Sequence, residues 1–480
     1  MSAFRKERDS LGEVRLPADA LYGAQTARAV ENFPISGWRM PRRFIAALGM
    51  VKQAVATAHK QAGRLDKKMA DAIIAAAGEV IGGRLDGHFP VDVFQTGSGT
   101  STNMNANEVI ANRANQMLGR PAKKPGRKPG GKPAGPSGGG AMVHPNDHVN
   151  MGQSSNDVIP TATHVAVALA IHAELIPALQ SLRSALADKA EQFDGVVKVG
   201  RTHLQDAVPI RLGQEFSGYA AAVDDAVGAL EVAIAVLCEL AIGGTAVGTG
   251  LNAPPGFAAA VCRYLAGQTR LPFQEAANHF SAHTAPLPAV QASAALRATA
   301  LALSKIANDI RWLGSGPRAG LGELALPLVQ PGSSIMPGKV NPVIPEAVIQ
   351  VCCQVVGNDA AVAAAAAGGV GSILEMHLAW PLIASNLLCS ISLLTNAAKV
   401  FEERCIAGLT ADRARCAELA ERSLMLATAL APKIGYDAAA EIARQAHQTG
   451  RTIRQVALER GVLSEKELDR LLDPRRQTGR

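Results

Sequence analysis

The sequence predicts an all-α fold built around a bundle of five long helices. The 480 residues are 48% hydrophobic but only 4% aromatic, and alanine dominates many segments. A β-sandwich needs more β-branched and aromatic side chains, whereas alanine-rich segments favour closely packed helices. Long stretches of helical apolar spacing, whose apolar faces we expect to pack side by side in one bundle, lie at residues 158–193, 205–240, 284–313, 345–366 and 376–404.

Shorter helical patterns flank these five segments. They lie at residues 42–63, 67–81 and 103–118 before the bundle, and at 412–431, 438–450, 452–460 and 464–472 after it. We therefore expect three domains. These are a mixed, mainly helical N-terminal domain at residues 1–149, a central helical bundle at 150–405, and a small C-terminal helical domain at 406–480.

A low-complexity segment, PAKKPGRKPGGKPAGPSGGG, interrupts the N-terminal domain at residues 121–140. Its composition cannot bury apolar surface and predicts a disordered loop. Six basic residues lie between positions 120 and 132, so without them the net charge of +7 falls to 7 − 6 = +1. The basic charge is therefore local, and we expect a tolerated surface insertion rather than a loop that binds nucleic acid.

Several other classes of protein are disfavoured. The seven cysteines match neither a zinc site nor a disulfide framework, which is typical of a reducing cytoplasm. The first 13 residues are charged and predict no secretory signal. Residues 376–398 lack acidic and basic side chains and are long enough to cross a membrane. Polar residues such as His377 and Asn386 in that segment favour a helix buried in the bundle, so we expect no membrane partner.

The loop at residues 331–342, PGSSIMPGKVNP, is the most informative part of the chain, and we call it the signature loop. Proline and glycine at both ends disfavour a regular helix or strand. Within it, Ser333, Ser334, Lys339 and Asn341 can reach one small ligand. Lysine brings a positive charge, and asparagine and backbone N–H groups bring directional donors. This combination suits a carboxylate whose negative charge grows during a reaction.

Three further polar segments stand out at residues 96–107, 144–156 and 200–205. The first two lead into predicted helices, whose N-terminal N–H groups bind anions but are also ordinary places for capping residues. The third contains a single histidine, His203, which in isolation is most often a structural residue. Neither a dinucleotide fingerprint nor a phosphate loop nor a metal-ligand pair is present. We therefore expect no cofactor and no metal, and a pocket for a small dianion.

The motifs together resemble the superfamily of class II fumarases and aspartases. The motifs that carry this resemblance are GSSIMPGKVNP, TGSGTSTNMNANEV, HPNDHVN, QSSND and GRTHLQD, and it extends from about residue 9 to residue 474. It implies a mostly helical protomer of three domains. It also implies a homotetramer with a twenty-helix core, in which each active site draws on three subunits.

The resemblance also implies roles for individual residues. Ser333 would be the base that removes a proton from the carbon beside a carboxylate. His203, oriented by Glu346, would transfer protons on the leaving-group side, and Lys339 would stabilise developing charge. The implied substrate-binding residues are Ser98, Gly99, Thr100, Ser154, Ser155, Asn156, Thr202, Ser334, Lys339, Val340 and Asn341. The implied peripheral anion site consists of His144, Pro145, Asn146 and Asp147.

The motifs leave two lyase activities open. Ser98 and Ser155 lie in fumarase-like text, whereas STNMNANEVIAN, LQDAVP and GKVNPVIPE resemble aspartases. Because the two serines are expected to contact ligand, we favour hydration of fumarate to malate over release of ammonia from aspartate. A third alternative is an inactive paralogue that acts as an interaction protein. One departure from the family is EMHLAWP, which has His377 where an asparagine is expected.

Overall fold

The structure is a computed structural model that describes residues 4–9, 11–120 and 142–479. The predicted disordered loop at 121–140 lies outside these residues. Helices make up most of the described chain, and the strands are short. The prediction of an all-α fold is confirmed.

The α-helices are α1 Ala24–Asn32, α2 Arg42–Gln61, α3 Lys67–Ile81, α4 Thr100–Met117, α5 Ser155–Ala170, α6 Ile176–Gln192, α7 Leu212–Leu237, α8 Phe257–Thr269, α9 His279–Thr284, α10 Leu287–Leu313, α11 Val343–Ala366, α12 Trp380–Phe401, α13 Arg413–Arg422, α14 Ala431–Ile434, α15 Tyr436–Thr449, α16 Ile453–Glu459 and α17 Glu465–Leu471. Single-turn π-helical segments occur at Pro145–Val149, Ile171–Leu175 and Glu402–Ile406. Short 3₁₀ segments occur at Asp86–His88, Leu424–Ala429 and Pro474–Gln477.

The strands form two-stranded sheets. They are β1 Phe4–Asp9, β2 Gly12–Pro17, β3 Val197–Thr202, β4 Gln205–Arg211, β5 Glu239–Leu240, β6 Gln274–Glu275, β7 Leu324–Ala325, β8 Ser372–Ile373, β9 Met376–His377 and β10 Thr410–Ala411. The pairs β1–β2, β3–β4, β7–β10 and β8–β9 are antiparallel, and β5–β6 is parallel.

The chain divides into two compact units. The first unit comprises Met1–Ile176, Ala229–Ala298 and Gln354–Leu393, and the second comprises Pro177–Gly228, Thr299–Cys353 and Leu394–Arg480. Helices α7, α10, α11 and α12 each contribute residues to both units. The three-domain division drawn from the sequence stays a prediction.

Buried polar contacts join the long helices within each unit. In the first unit, the Asn358 amide on α11 donates to the Ser390 hydroxyl oxygen on α12 at 3.0 Å. In the second unit, the Tyr219 hydroxyl on α7 donates to Asp309 on α10 at 3.1 Å. Satisfied polar pairs between apolar faces specify which helices lie side by side, and they agree with the predicted bundle.

The second long segment differs from its predicted form. The sequence predicts a helix over residues 205–240, but residues 205–211 form strand β4 and α7 begins at Leu212. The cause is a two-residue turn at His203 and Leu204, whose φ angles of 55° and 61° match the turn that joins tight antiparallel hairpins. Pro209 therefore lies in a strand, opposite Val199, and not in the first turns of a helix.

Three helical stretches are long and apolar enough, by length and composition, to cross a membrane. They are Ser155–Gln192, Val343–Ala366 and Trp380–Ile406. In the first and third, 61% of the most apolar window is buried inside the protein, compared with 33% for Val343–Ala366. The expected packing of the 376–398 segment is therefore seen, whereas α11 leaves much apolar surface uncovered.

Several histidines of the first unit are buried, among them His164, His283 and His377. The exposed fractions of His164, His283 and His377 are 5%, 1% and 1%. Burial lowers the pKa of each to about 4, because water no longer stabilises the imidazolium form. His377 packs on the indole ring of Trp380, with ring centroids 5.4 Å apart.

We predict that His377→Asn makes the protein less sensitive to acid. A histidine whose folded-state pKa lies below its unfolded value binds more protons when unfolded, so its contribution to stability falls as pH drops from about 6.5 towards 4. Between pH 7 and pH 5 the wild-type protein should lose about 2 kcal/mol more than the variant, from a folded-state pKa of about 4. Urea unfolding at both pH values measures this difference, and equal losses would contradict it.

Candidate active site

A chain of three hydroxyl groups forms the centre of the donor cluster in the first unit. The Ser98 and Thr100 oxygens lie 2.8 Å apart, and the Thr100 and Ser155 oxygens lie 2.7 Å apart. Ser98 and Thr100 sit at the start of α4, where Gly99 adopts a left-handed φ of 75°. Three predicted substrate-binding residues from two separate motifs are therefore brought into contact. Hydroxyls linked in this way can turn their protons together towards an anion.

The start of α5 positions the Ser155 hydroxyl. Ser154 caps the helix by accepting a hydrogen bond from the Asn156 N–H, and Asp157 Oδ1 accepts one from the Ser154 N–H at 2.9 Å. The Asn156 side-chain amide donates to the backbone oxygen of Ala246 at 2.7 Å. Ser154 and Asn156 therefore hold the turn together, while Ser155 faces the hydroxyl chain.

Two buried titratable side chains, Asp157 and Lys52, lie near this turn and interact electrostatically. Asp157 Oδ2 accepts hydrogen bonds from the Gly243 and Thr245 N–H groups, both at 3.0 Å. Asp157 and Lys52 are both 0% exposed. Burial raises the pKa of the Asp157 carboxyl and lowers that of the Lys52 amine, and each charge partly offsets the shift of the other.

Lys52 is a residue that sequence reasoning missed. Its Nζ donates to Asn150 Oδ1 at 3.0 Å and to Gln153 Oε1 at 2.9 Å, so it binds the segment that leads into α5. Its burial could have been predicted from its spacing on α2, because Lys52 lies on the apolar face that includes Leu48 and Val55.

The predicted peripheral anion site lies in a π-helical turn that begins after His144. His144 Nδ1 accepts a hydrogen bond from the Asp147 N–H at 3.2 Å, and the Asp147 carboxylate lies 3.3 Å from the same nitrogen. Asn146 and Asp147 are exposed, whereas Pro145 is buried. An anion-binding role for these residues stays a prediction.

In the second unit, Thr202 and His203 lie at the exposed tip of the β3–β4 hairpin. The two strands approach each other closely at Gly200, where an added Cβ would lie 2.6 Å from the Val208 backbone oxygen. His203 is therefore exposed to solvent at the end of a short, tightly paired hairpin.

The signature loop is closed by its own backbone and by one side chain. The Gly332 N–H donates to the Lys339 oxygen at 2.7 Å, and the Asn341 side-chain amide donates to the Gly332 oxygen at 2.8 Å. Asn341 thus uses a donor within the loop, although the sequence predicts that it binds substrate. Ser334, Lys339 and Val340 are exposed.

Ser333 accepts two backbone hydrogen bonds on its hydroxyl oxygen. The Ile335 and Met336 N–H groups point at this oxygen, at 3.2 and 3.0 Å. Two N–H dipoles aimed at one oxygen stabilise negative charge on it. The loop geometry is compatible with the base role implied for Ser333, which stays a prediction.

Glu346 lies in the first turn of α11 and is partly exposed. Among the described residues of one chain, no hydrogen bond or ion pair joins Glu346 to His203, and none joins the signature loop to the tip of the hairpin. The site residues therefore form separate groups, with the hydroxyl chain in the first unit and the hairpin tip and signature loop in the second.

Comparison with known proteins identifies the family. A family described as "Lyase" matches residues 12–357, and one described as "Fumarase C C-terminus" matches residues 426–479. A class II fumarate hydratase of Halobacterium salinarum is 54% identical over 99% of this chain and 97% of its own length. The chain belongs to the class II fumarase family.

Further relatives match this chain over nearly its whole length. The class II fumarate hydratase of Chromobacterium violaceum is 53% identical and covers 98% of both chains. The crystal structure of a class II fumarase from Schistosoma mansoni superposes with a TM-score of 0.93 at 38% identity, covering 99% of both chains. A fumarate lyase:delta crystallin from Brucella melitensis, bound to cobalt, has a TM-score of 0.92 at 46% identity and covers 100% of both chains.

The turn that precedes α4 packs directly on the segment that contains His377. An added Cβ on Gly97 would lie 1.9 Å from the Leu378 backbone oxygen, and the Trp380 N–H donates to the Gly97 oxygen at 3.2 Å. His377, which replaces the asparagine expected in the family, thus lies in β9 and not within a long bundle helix. Its segment packs on the turn that carries Ser98.

We predict that Gly97→Ala destabilises the protein and weakens turnover. The methyl group has no room, so the turn must shift away from residues 376–380, at a cost of about 1–3 kcal/mol. Gly87→Ala is the matched control, because nothing lies within 4 Å of its added Cβ. Thermal unfolding and steady-state kinetics of both variants test this, and a Gly97→Ala protein as stable and active as Gly87→Ala would contradict the close approach.

Proposed function

We propose that this chain catalyses the reversible hydration of fumarate to L-malate. The observation that carries the proposal is the pairing of two features within the family's motifs. One is a linked set of neutral donors at Ser98, Thr100 and Ser155, and the other is a serine oxygen, on Ser333, that accepts two backbone N–H bonds. The first suits a carboxylate, and the second suits removal of a proton from the carbon beside a carboxylate.

In the dehydration direction, Ser333 removes a proton from the carbon next to one carboxylate of malate. The electron pair moves onto that carboxylate and gives a dianionic aci-carboxylate. Exposed Lys339, in the same loop, carries a positive charge that can stabilise it as it forms. Such stabilisation lowers the barrier because the charge exists only after the proton leaves.

The second half of the reaction expels the hydroxyl group as water. His203, oriented by Glu346, delivers the proton to this leaving oxygen through a bound water. The electron pair of the aci-carboxylate then forms the double bond of fumarate. In hydration the same groups act in reverse order, because both directions pass through the same intermediate.

We propose that residues from different copies of the chain hold the substrate's two carboxylates. In this proposal the first unit contributes the hydroxyls of Ser98, Thr100 and Ser155, with the turn residues Ser154 and Asn156. The second unit contributes Thr202, Ser334 and the backbone of Val340 and Asn341. Neutral donors dominate this set, which leaves Lys339 as the fixed positive charge beside the reacting centre.

The active form is proposed to be a homotetramer. The support is helix α11, whose most apolar window is 33% buried in one copy although its mean hydropathy is 1.4. Exposed apolar side chains on the bundle helices include Val356 on α11, Leu301 on α10 and Val232 on α7. Further copies of this chain would cover such surfaces, and would bring His203 and Glu346 of different copies together.

We place the enzyme in the cytoplasm, without a cofactor. All seven cysteines are free thiols, as expected for a reducing compartment. In the part of the chain that the structure describes, no group of three or more His, Cys, Asp or Glu side chains is arranged to hold a metal ion. The reaction as written needs none.

Incubation with malate and, separately, with aspartate tests the function. Fumarate absorbs in the ultraviolet, so its appearance reports either reaction directly. We expect fumarate from malate. Fumarate from aspartate alone would identify an ammonia-lyase, and fumarate from neither would favour the inactive paralogue.

We predict that Ser333→Ala and His203→Asn each nearly abolish turnover without disrupting assembly. Equal amounts of the two variants, unfolded and refolded together, should regain about a quarter of the wild-type activity if Ser333 and His203 reach one site from different copies. Variants refolded separately and then mixed are the control. No recovery in the mixed assembly would contradict the shared site.

A further inference from the structure

We infer that Glu323 is a positioning residue that holds the His203 hairpin and the entrance to the signature loop in one geometry. This inference rests on the proposed roles of His203 and Ser333. It concerns a cluster of buried charges in the second unit, consisting of Glu323, Arg201 and Lys198, which we call the Glu323 cluster. None of these side chains reaches the exposed tip of the hairpin or the signature loop itself.

The Glu323 cluster is closed to solvent at its centre. The Glu323 side chain is 0% exposed, and it accepts hydrogen bonds from both terminal nitrogens of Arg201, at 2.8 and 3.1 Å. Lys198, at 1% exposure, lies 3.4 Å from the same carboxylate and 3.2 Å from Glu215. A carboxylate held by two planar guanidinium bonds has a fixed orientation, which a point charge alone would not give.

Both cations belong to strand β3, which ends at Thr202, immediately before His203. Arg201 is two residues before His203, so its guanidinium anchors the strand immediately below the tip. Strict alternation would send residues 198 and 201 to opposite faces. The register shifts between Val199 and Arg201, and such a bulge raises the local twist, which lets both side chains contact Glu323.

Glu323 also anchors the chain that enters the signature loop. Its N–H donates to the Leu313 oxygen at the end of α10, and its oxygen accepts from the Asp412 N–H at 3.0 Å. The next two residues pair with Thr410 and Ala411 as β7 and β10. The loop to Ser333 therefore leaves from a point that the backbone has already fixed.

One buried carboxylate thus links two segments that separately carry the proposed acid–base groups. A displacement of Glu323 would tilt the hairpin below His203 and move the entrance to the signature loop. His203 is exposed and makes no hydrogen bond or ion pair within the described residues of one chain. Its placement therefore depends on the hairpin beneath it.

Arg201→Lys tests the inference, because lysine keeps the charge but loses the two-pronged geometry. We expect kcat to fall at least about tenfold and by a larger factor than KM rises, because His203 acts in the chemical step whereas the Ser98, Thr100 and Ser155 hydroxyls are left unchanged. The pH profile of kcat should also shift, because the proposed proton-transfer group changes its position relative to the substrate. Glu323→Asp, which withdraws the carboxylate by one methylene group, should act in the same direction.

Arg113→Lys is the matched control. Arg113 binds Glu79 through two nitrogens in the same way, on helices that carry none of the proposed acid–base groups. We expect its kcat and pH profile to equal those of the wild type. The positioning role would be overturned if Arg201→Lys had the kcat and pH profile of the wild type. It would also be overturned if Arg113→Lys and Arg201→Lys lost equal activity.

A second measurement separates this inference from the proposed function. The rate at which diethylpyrocarbonate modifies His203, followed by peptide mass spectrometry, reports the geometry of the hairpin tip without any turnover. We expect a changed rate in Arg201→Lys and an unchanged rate in Arg113→Lys. If the wild-type protein makes no malate but the modification rate still changes in Arg201→Lys, positioning would be supported and the hydratase proposal refuted. An unchanged rate would overturn positioning whatever the activity.

Discussion

The buried carboxylate of Asp157 is the interaction on which the donor cluster of the first unit depends. It accepts N–H groups from the start of α5 and from residues 243 and 245, so it ties two separate segments to one point. A buried charge is costly unless hydrogen bonds and an opposite charge compensate it. Here the three N–H donors and the nearby Lys52 ammonium do so. The hydroxyls of Ser155 and Thr100 are consequently held in place before any ligand arrives.

The second unit uses the same arrangement around Glu323. Again a fully buried carboxylate is compensated by cations, and it lies beside exposed segments that carry the proposed acid–base groups. These buried charges are thus kept away from the proposed binding site, and the groups proposed to contact the ligand are mostly neutral. A site of this kind can respond to charge that develops during reaction without binding the starting diacid too tightly.

Much of this architecture follows from the sequence. Long apolar periodicity predicted the bundle helices, and α3 has the predicted bounds of residues 67–81. From the sequence motifs we placed Thr100 and Ser155 in one proposed pocket, and their hydroxyl groups are in contact. Such features are local, or are repeated along many residues, so that a pattern can reveal them.

Other features depend on partners that are remote in the sequence. The β3–β4 hairpin was missed because His203 and Leu204 form its turn without the glycine or asparagine that usually marks one. Lys52 and Glu323 were missed because each is a single charged residue whose partners lie about 100 residues away. The internal use of the Asn341 amide likewise depends on how the loop closes, which its composition does not specify.

The central claim is that neutral hydroxyls and a lysine from separate copies of this chain surround one four-carbon diacid. An experimental structure of the assembled protein with succinate, which has no double bond to hydrate, tests it most directly. We expect one carboxylate on the Thr100 and Ser155 hydroxyls of one copy, with Lys339 and His203 reaching the ligand from other copies. Succinate bound away from these hydroxyls, or enclosed by a single copy, would contradict the account.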